Sequence, residues 1–379
     1  MKNKLSVSVL CGGRSVEHEI SIQSARNVVV SLNPNKYEVS VVFIDHNGSW
    51  YLIDHIENFL TQTPQNLIST RKSAPITVVL GEQIRSWRSL DGKSFYKVDC
   101  VFPMIHGTHG EDGILQGFLE VLNLPYVGAD IHSSSICIQK DVTKNLLRAE
   151  GILVADWYTL WSNDRLEGVY SNLTNQWRTD ELFVKAVNLG SSVAACLVRN
   201  AIEFQKGAEN IFCYDNRLIV EPRIFGREIE CAVLGNNNEN LQTSLPSEIA
   251  FDKYDFYSYK AKYIDSSGVK TTLIVTDLSK EIIRKIRKTA VDAFKVVRCS
   301  GMARVDFFLT TQNQIVVNEI NTIPGFTDTS MYPKMWESIG LSYSALLDRL
   351  IELALERYRD RKKLIFRYDK PSRTHGIEK

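Results

Sequence analysis

Apolar residues recur along the chain with two different periods, and the two alternate. Strand side chains alternate faces, whereas helical ones return to a face every three or four residues. Residues 5–11 alternate serine and valine and run into Gly12-Gly13, and from Ser15 a helical spacing follows through Ile20, Ala25, Val28 and Val29. That predicts strand, glycine turn and helix, the opening of a nucleotide-type α/β unit. Further strands are predicted at 38–44, 99–105, 126–127, 182–187 and 229–234, and helices at 114–122, 133–150, 278–299 and 343–358. Gly151 suits the end of the helix 133–150. Residues 45–97 are polar, turn-rich and less regular, with hairpin-like pieces at 50–53 and 76–80, and carry no assigned chemistry. The charged tail 359–379 is expected to be poorly ordered or loosely docked.

The chemistry concentrates in residues 301–331. Two apolar runs, 303–309 and 314–320, flank the polar turn 310–313, which predicts a hairpin. Asp306 lies in the first run and Glu319 in the second. Residues two apart share a strand face, so Arg304 goes with Asp306, and Glu319 with Asn321. If the strands pair, the two carboxylates lie side by side. With the Asn321 amide oxygen they form a hard-oxygen set suited to Mg²⁺. Such close carboxylates need a neutralising cation, either Arg304 or a metal held against phosphates. Ile323-Pro324-Gly325 then forces a turn, followed by hydroxyls at Thr327, Thr329 and Ser330.

Other features are individually weaker. Lys185 sits inside the apolar run 182–187, where an ammonium needs an anionic partner. The small residues 188–193 after it can fold backbone N–H groups over phosphates, although no GxxxxGK[ST] string occurs. Lys140 and Lys144 are one helical turn apart, a spacing ordinarily explained by solvation. Glu17 at a helix start is ordinarily explained by the macrodipole. Residues 246–263, rich in Tyr, Phe, Asp and Lys, look like an exposed loop.

Length and composition narrow the class. A chain of 379 residues accommodates two or three domains. A net charge of +1 gives no electrostatic case for nucleic acid or membrane partners. The seven cysteines lack metal or redox spacing, which suggests free, mostly buried thiols in a reducing compartment. The run 5–10 is too short for a signal peptide and no segment approaches a membrane span, so a cytoplasmic protein is expected.

In order along the chain, GGRSVEHEIS, HGTHGEDGILQGFLE, KAVNLGSSV, EPRIFGRE, KAKY, RVD, NEIN and PGFTDTS resemble the motifs of ATP-grasp enzymes, and in detail those of the D-alanine–D-alanine ligase family. The resemblance implies a three-domain α/β ATP-grasp fold: an N-terminal Rossmann-like substrate domain at 1–130, and central and C-terminal ATP-grasp subdomains at 131–221 and 222–379, with ATP between the last two. It implies an ATP-dependent ligase joining two D-alanines through an acyl phosphate for peptidoglycan synthesis, with two Mg²⁺ or Mn²⁺ ions, room for a monovalent cation, and a homodimeric assembly.

Site roles follow from the same resemblance. Glu17 would bind the first D-alanine's ammonium, His106 would lie near its carboxylate and the transferring phosphate, and Ser330 would bind the second carboxylate. Lys140 and Lys185 would face the nucleotide phosphates, with Ser191 and Ser192 in the glycine-rich loop. Glu221 and the backbone after it would meet the adenine amino edge, Ile224 the ring and Glu228 the ribose. Lys262 would reach the transferring phosphate, and Tyr263 would join Glu17 and Ser191 in a triad closing the site. Asp306, Glu319 and Asn321 would hold the metals, while Arg304 and the Gly325 backbone would stabilise the reacting centre.

The chain departs from the family pattern at Ala186, Ala194 and Pro222. The KAKY string favours an amine nucleophile, against D-alanine–D-lactate ligation; D-alanine–D-serine ligation is the other neighbouring activity. A catalytically silent nucleotide-binding protein is the rival from another class.

Overall fold

The computed structural model describes residues 4–81, 85–190, 194–236, 240–251 and 269–365. Three sheets organise the described residues. The first has seven strands, in the order Phe95–Lys97, Ser86–Ser89, Ser73–Thr77, Trp50–Ile53, Tyr37–Ile44, Leu5–Gly12 and Cys100–Pro103. Tyr37–Ile44, Leu5–Gly12 and Cys100–Pro103 run parallel. Their buried, nearly continuous apolar sequences are those of a sheet covered on both faces. The other strands extend this sheet antiparallel, so the irregular stretch 45–97 contributes four short strands to it, with the short helices Ile56–Thr61 and Pro64–Ser69 between the first two. Around Tyr126 there is only an isolated bridge to Val101, not the expected strand.

The second sheet is antiparallel and four-stranded: Ala195–Val198, Leu182–Ala186, Arg217–Pro222 and Tyr158–Trp161. The third runs Val269–Thr272, Ser247–Phe251, Gly226–Gly235, Gly301–Thr310, Ile315–Asn321, with Gln242–Thr243 beside Gly226–Gly235. The helix Lys280–Val296 opens on Ser279, whose hydroxyl accepts from the Ile282 N–H. Ile286, Ala290, Ala293 and Phe294, spaced at helical period, pack on Ile229, Cys231, Val305 and Phe307 of this sheet. One face of the sheet is therefore core, and the alternate residues are left for the site.

The predicted helix 133–150 is two helices, Ile131–Ile138 and Lys140–Ala149, broken at Gln139, which has φ −89° and ψ 95°. No glycine or proline marks the break. It is held instead by tertiary partners: the Lys140 N–H donates to the Val187 carbonyl, and Arg217 donates to the Gln139 side chain.

The last helix, Tyr343–Lys362, returns to the first sheet. Leu346, Leu347, Leu350 and Ile351 share one core with Val7, Val28 and Phe102. Its Arg357 donates to the carbonyls of Tyr126 and Gly128 and to the Ser300 hydroxyl. Among the described residues no helix is long and apolar enough to cross a membrane.

Candidate active site

Strand register builds the floor of the site. Glu230 pairs with Asp306 and Asp306 with Glu319, which sets three carboxylates in one row across three strands. In the next row Ala232 pairs with Arg304 and Arg304 with Asn321. The hairpin shifts register at Asp306/Phe307, because Phe307 pairs with Val317 and Asn318 is skipped. A bulge of this kind switches side-chain parity. Val317 is consequently core, whereas Glu319 shares the site face with Asp306.

The Arg304 guanidinium grips Asp306 at 2.8 Å through both Nε and Nη2 and meets Glu230 Oε1 at 3.1 Å. Burial opposes its charge, but Asp306 and Glu230 outweigh burial and push its pKa upward. The Asn321 amide N–H donates to Asp306 Oδ2 at 2.9 Å, leaving its own Oδ1 as a neutral oxygen that can ligate a cation. Carboxylate oxygens accept more than one bond each, so Asp306, Glu319 and Asn321 still fit a hard divalent cation. Among the described residues the row sets three carboxylates against one guanidinium, which favours such a cation.

A second buried ion cluster adjoins this floor. Glu221, 3% exposed, takes Lys144 at 3.0 Å on one oxygen and Lys185 at 2.9 Å on the other. Lys185 thus has the anionic partner its position demanded, and it also donates to Asn318 Oδ1 at 3.3 Å. Burial raises the Glu221 carboxyl, but the two ammoniums overcome it and bring the carboxyl down to about 2. Burial pulls Lys185 down, yet Glu221, Glu319 and Glu228 carry it above its ordinary value. Lys144 ends below its ordinary value because burial dominates; it is enclosed rather than solvated. Lys140, opening its helix, donates to the Leu189 carbonyl at 2.6 Å, and Asn188 is tied to Asp215. The stem of the small-residue loop is held on both sides.

The other half of the site joins distant segments. Glu17 lies immediately before the helix His18–Ser31. His106 is buried; its Nδ1 donates to the Ile323 carbonyl at 3.1 Å, and its Nε2 is 3.0 Å from Ser24 Oγ. Burial pulls its pKa down, but Glu111, 3.6 Å away, and then Glu17 leave it raised. Gly107 has φ +70°, and a Cβ there would lie 2.4 Å from Glu17 Oε2. Ser330 Oγ accepts from the Thr327 N–H at 2.9 Å, and a Cβ on Gly325 would come within 2.6 Å of it. Both glycines are required by close approach.

Two cavities result. One is lined by Lys140, Lys185, Glu221, Ile224, Glu228 and Asp306. The other is lined by Glu17, His106, Asn321, Gly325 and Ser330. Arg304, Glu319, Glu230 and Gly190 line both, so the cavities meet there. Ser191, Ser192, Lys262 and Tyr263 lie outside the described residues. Glu230, Asn318 and Glu111 were not singled out from sequence, and Lys144 was read as solvated. Glu230 was accessible by parity, being two residues beyond Glu228 inside an apolar run. Asn318 needed knowledge of the bulge.

The N-terminal family model, "D-ala D-ala ligase N-terminus", matches residues 6–129, and the C-terminal one, "D-ala D-ala ligase C-terminus", matches 146–352. The chain is 57% identical over 375 residues to the D-alanine–D-alanine ligase of Coxiella burnetii strain Dugway, covering 99% of this chain and all of that one. It is 42% identical to the Proteus mirabilis D-alanine–D-alanine ligase, covering 94% of this chain and 97% of the relative. Among solved structures, the Coxiella burnetii ligase superposes with TM-score 0.84 at 54% identity, covering 95% of this chain and 98% of that one. The VanG D-Ala:D-Ser ligase of Enterococcus faecalis gives 0.81 at 35% identity, covering 93% of this chain and all of its own. The architecture is the three-domain α/β ATP-grasp fold of these structures. With matched models over most of its length and relatives this similar along nearly all of it, the chain belongs to the D-alanine–D-alanine ligase family.

Proposed function

We propose that the chain uses ATP to join two D-alanine molecules into D-alanyl-D-alanine, releasing ADP and phosphate, for peptidoglycan precursor synthesis. The observation that carries this reading is the meeting of two cavities at Arg304 and Glu319. One has lysines suited to a polyphosphate, and the other has a buried carboxylate and hydroxyls suited to a zwitterionic amino acid.

A carboxylate is a poor electrophile. A carboxylate oxygen of the first D-alanine attacks the γ-phosphorus, and the bond to the β,γ-bridging oxygen breaks. This gives D-alanyl phosphate and ADP. The amine of the second D-alanine, having lost a proton, attacks the acyl carbon, and the tetrahedral intermediate expels phosphate. Glu17 pairs with the first ammonium, each charge offsetting the other's desolvation. His106, oriented by Ile323 and Ser24, lies beside the first carboxylate, and Ser330 receives the second. Arg304 and the Gly325 backbone stabilise negative charge developing at the junction. Fixed placement of the reactants supplies much of the remaining rate.

Lys140 and Lys185 bind phosphates, Ile224 packs on the adenine and Glu228 accepts from the ribose. The Glu221 carboxylate is committed to its two lysines, so the adenine amino edge falls to the backbone after it, where Pro222 has a carbonyl and no N–H. Ser191, Ser192, Lys262 and Tyr263 keep the roles given by the family resemblance. Asp306, Glu319 and Asn321 would hold two Mg²⁺ or Mn²⁺ ions, which when bound neutralise phosphate charge. The same reading extends to a cytoplasmic homodimer activated by a monovalent cation.

The test is phosphate release from Mg-ATP with D-alanine, L-alanine, D-alanine plus D-lactate, and D-alanine plus D-serine, with product masses recorded. D-alanine-dependent release with the dipeptide mass supports the proposal. A preferred D-lactate or D-serine product moves the function to those ligases, the second being the class of the VanG D-Ala:D-Ser ligase. ATP binding without turnover under any condition refutes an enzyme.

A further inference from the structure

His18 opens the helix His18–Ser31 and is 2% exposed. Its Nδ1 donates to the Gly13 carbonyl at 2.7 Å, which leaves the ring's lone pair on Nε2. That Nε2 is buried and has no hydrogen-bond partner among the described residues, an unusual state for a polar atom. The imidazole of His46, exposed on the turn after Tyr37–Ile44, lies over the His18 ring with centroids 3.7 Å apart and planes 24° apart. Exposed Glu19 is the next residue along the helix. One ring nitrogen from each histidine and a Glu19 oxygen all lie within 4.8 Å of one another.

We propose that His18, Glu19 and His46 form a binding site for a borderline divalent ion such as Zn²⁺, separate from the site at Asp306. A histidine with one nitrogen fixed by a backbone carbonyl and the other open is the usual arrangement of a metal-ligating imidazole. Two imidazoles and a carboxylate, with water in the fourth position, suit Zn²⁺. Mg²⁺ prefers an octahedron of oxygens. In the stacked arrangement the two lone pairs do not aim at one point, so His46 turns out of the stack on binding. Its turn stays in place while it does so, because Asp45 Oδ1 accepts from the N–H groups of Asn47 at 2.9 Å and Ser49 at 2.8 Å. The bound ion would tie this turn to the helix start directly after Glu17, and would stiffen the segment that presents Glu17 to its cavity.

The full-length protein is titrated with Zn²⁺ in excess Mg²⁺ and ADP, which keep the oxygen-rich site filled. Calorimetry gives stoichiometry and affinity, and X-ray absorption gives the ligands. The expected result is one Zn²⁺ per chain, held by two imidazoles and a carboxylate, with at least tenfold weaker binding in His46→Ala and Glu19→Gln. His46 is exposed, so His46→Ala should keep the metal-free melting temperature of the wild type. No Zn²⁺ binding by the wild type, or His46→Ala binding with unchanged affinity, overturns the proposal.

Discussion

Glu221→Gln removes one charge and almost no volume from the cluster it forms with Lys144 and Lys185. The wild-type carboxyl is brought from an ordinary 4.5 to about 2, which at about 1.4 kcal/mol per pH unit corresponds to about 3 kcal/mol. The sign follows from the direction. A pKa lower in the folded state gives stability that is present above about pH 4.5 and is lost as the pH falls toward 2. Breaking a buried pair by removing one partner costs about 3–5 kcal/mol. The lower figure applies here, because the amide oxygen that replaces the carboxylate still accepts from one ammonium, and Lys185 keeps Asn318 Oδ1 as an acceptor. Urea unfolding of the two proteins, followed by tryptophan fluorescence at several pH values, measures the difference. Glu221→Gln should be less stable by about 3 kcal/mol at pH 7, and the gap should narrow to about 1 kcal/mol at pH 3. A loss under about 0.5 kcal/mol with an unchanged acid limb would refute the reasoning, since Glu221 would then not be a compensating charge.

Gly107→Ala would put a Cβ 2.4 Å from Glu17 Oε2 at φ +70°; it should cost about 1–3 kcal/mol of stability and raise KM for D-alanine far more than KM for ATP. Glu230→Gln loosens Arg304 and should lower kcat by about a hundredfold with little change in either KM, measured by steady-state kinetics. His106 has a raised pKa, so its stabilising contribution is full below about pH 6.5 and fades as pH rises through its folded value; the stability difference between wild type and His106→Asn should shrink with rising pH in thermal melts. Asn321→Ala should raise the Mg²⁺ concentration needed for half-maximal rate by about tenfold, read from activity against Mg²⁺.

The hairpin at Asp306 and Glu319 was legible because its alternation and polar turn survive in the sequence. The three-carboxylate row was only half legible. Parity points to Glu230, but the bulge at Asn318 that turns Glu319 toward Asp306 is a property of pairing. Lys185 announced its need for an anion by sitting in an apolar run. Which of Lys140 and Lys144 is enclosed was hidden, since both share a helix face and tertiary packing decides between them. The break at Gln139 was hidden for a similar reason: it is held by Val187 and Arg217, both distant in sequence. The short strands of 45–97 lack a long alternating stretch, and their pairing with the first sheet stabilises what local pattern does not.

The most direct test of the account follows an oxygen atom. D-alanine carrying ¹⁸O in both carboxylate positions is turned over with Mg-ATP, and phosphate and dipeptide are analysed by mass. If the carboxylate attacks the γ-phosphorus where the two cavities meet, each phosphate carries one ¹⁸O and each dipeptide retains three. Unlabelled phosphate, or label in AMP, would contradict the account.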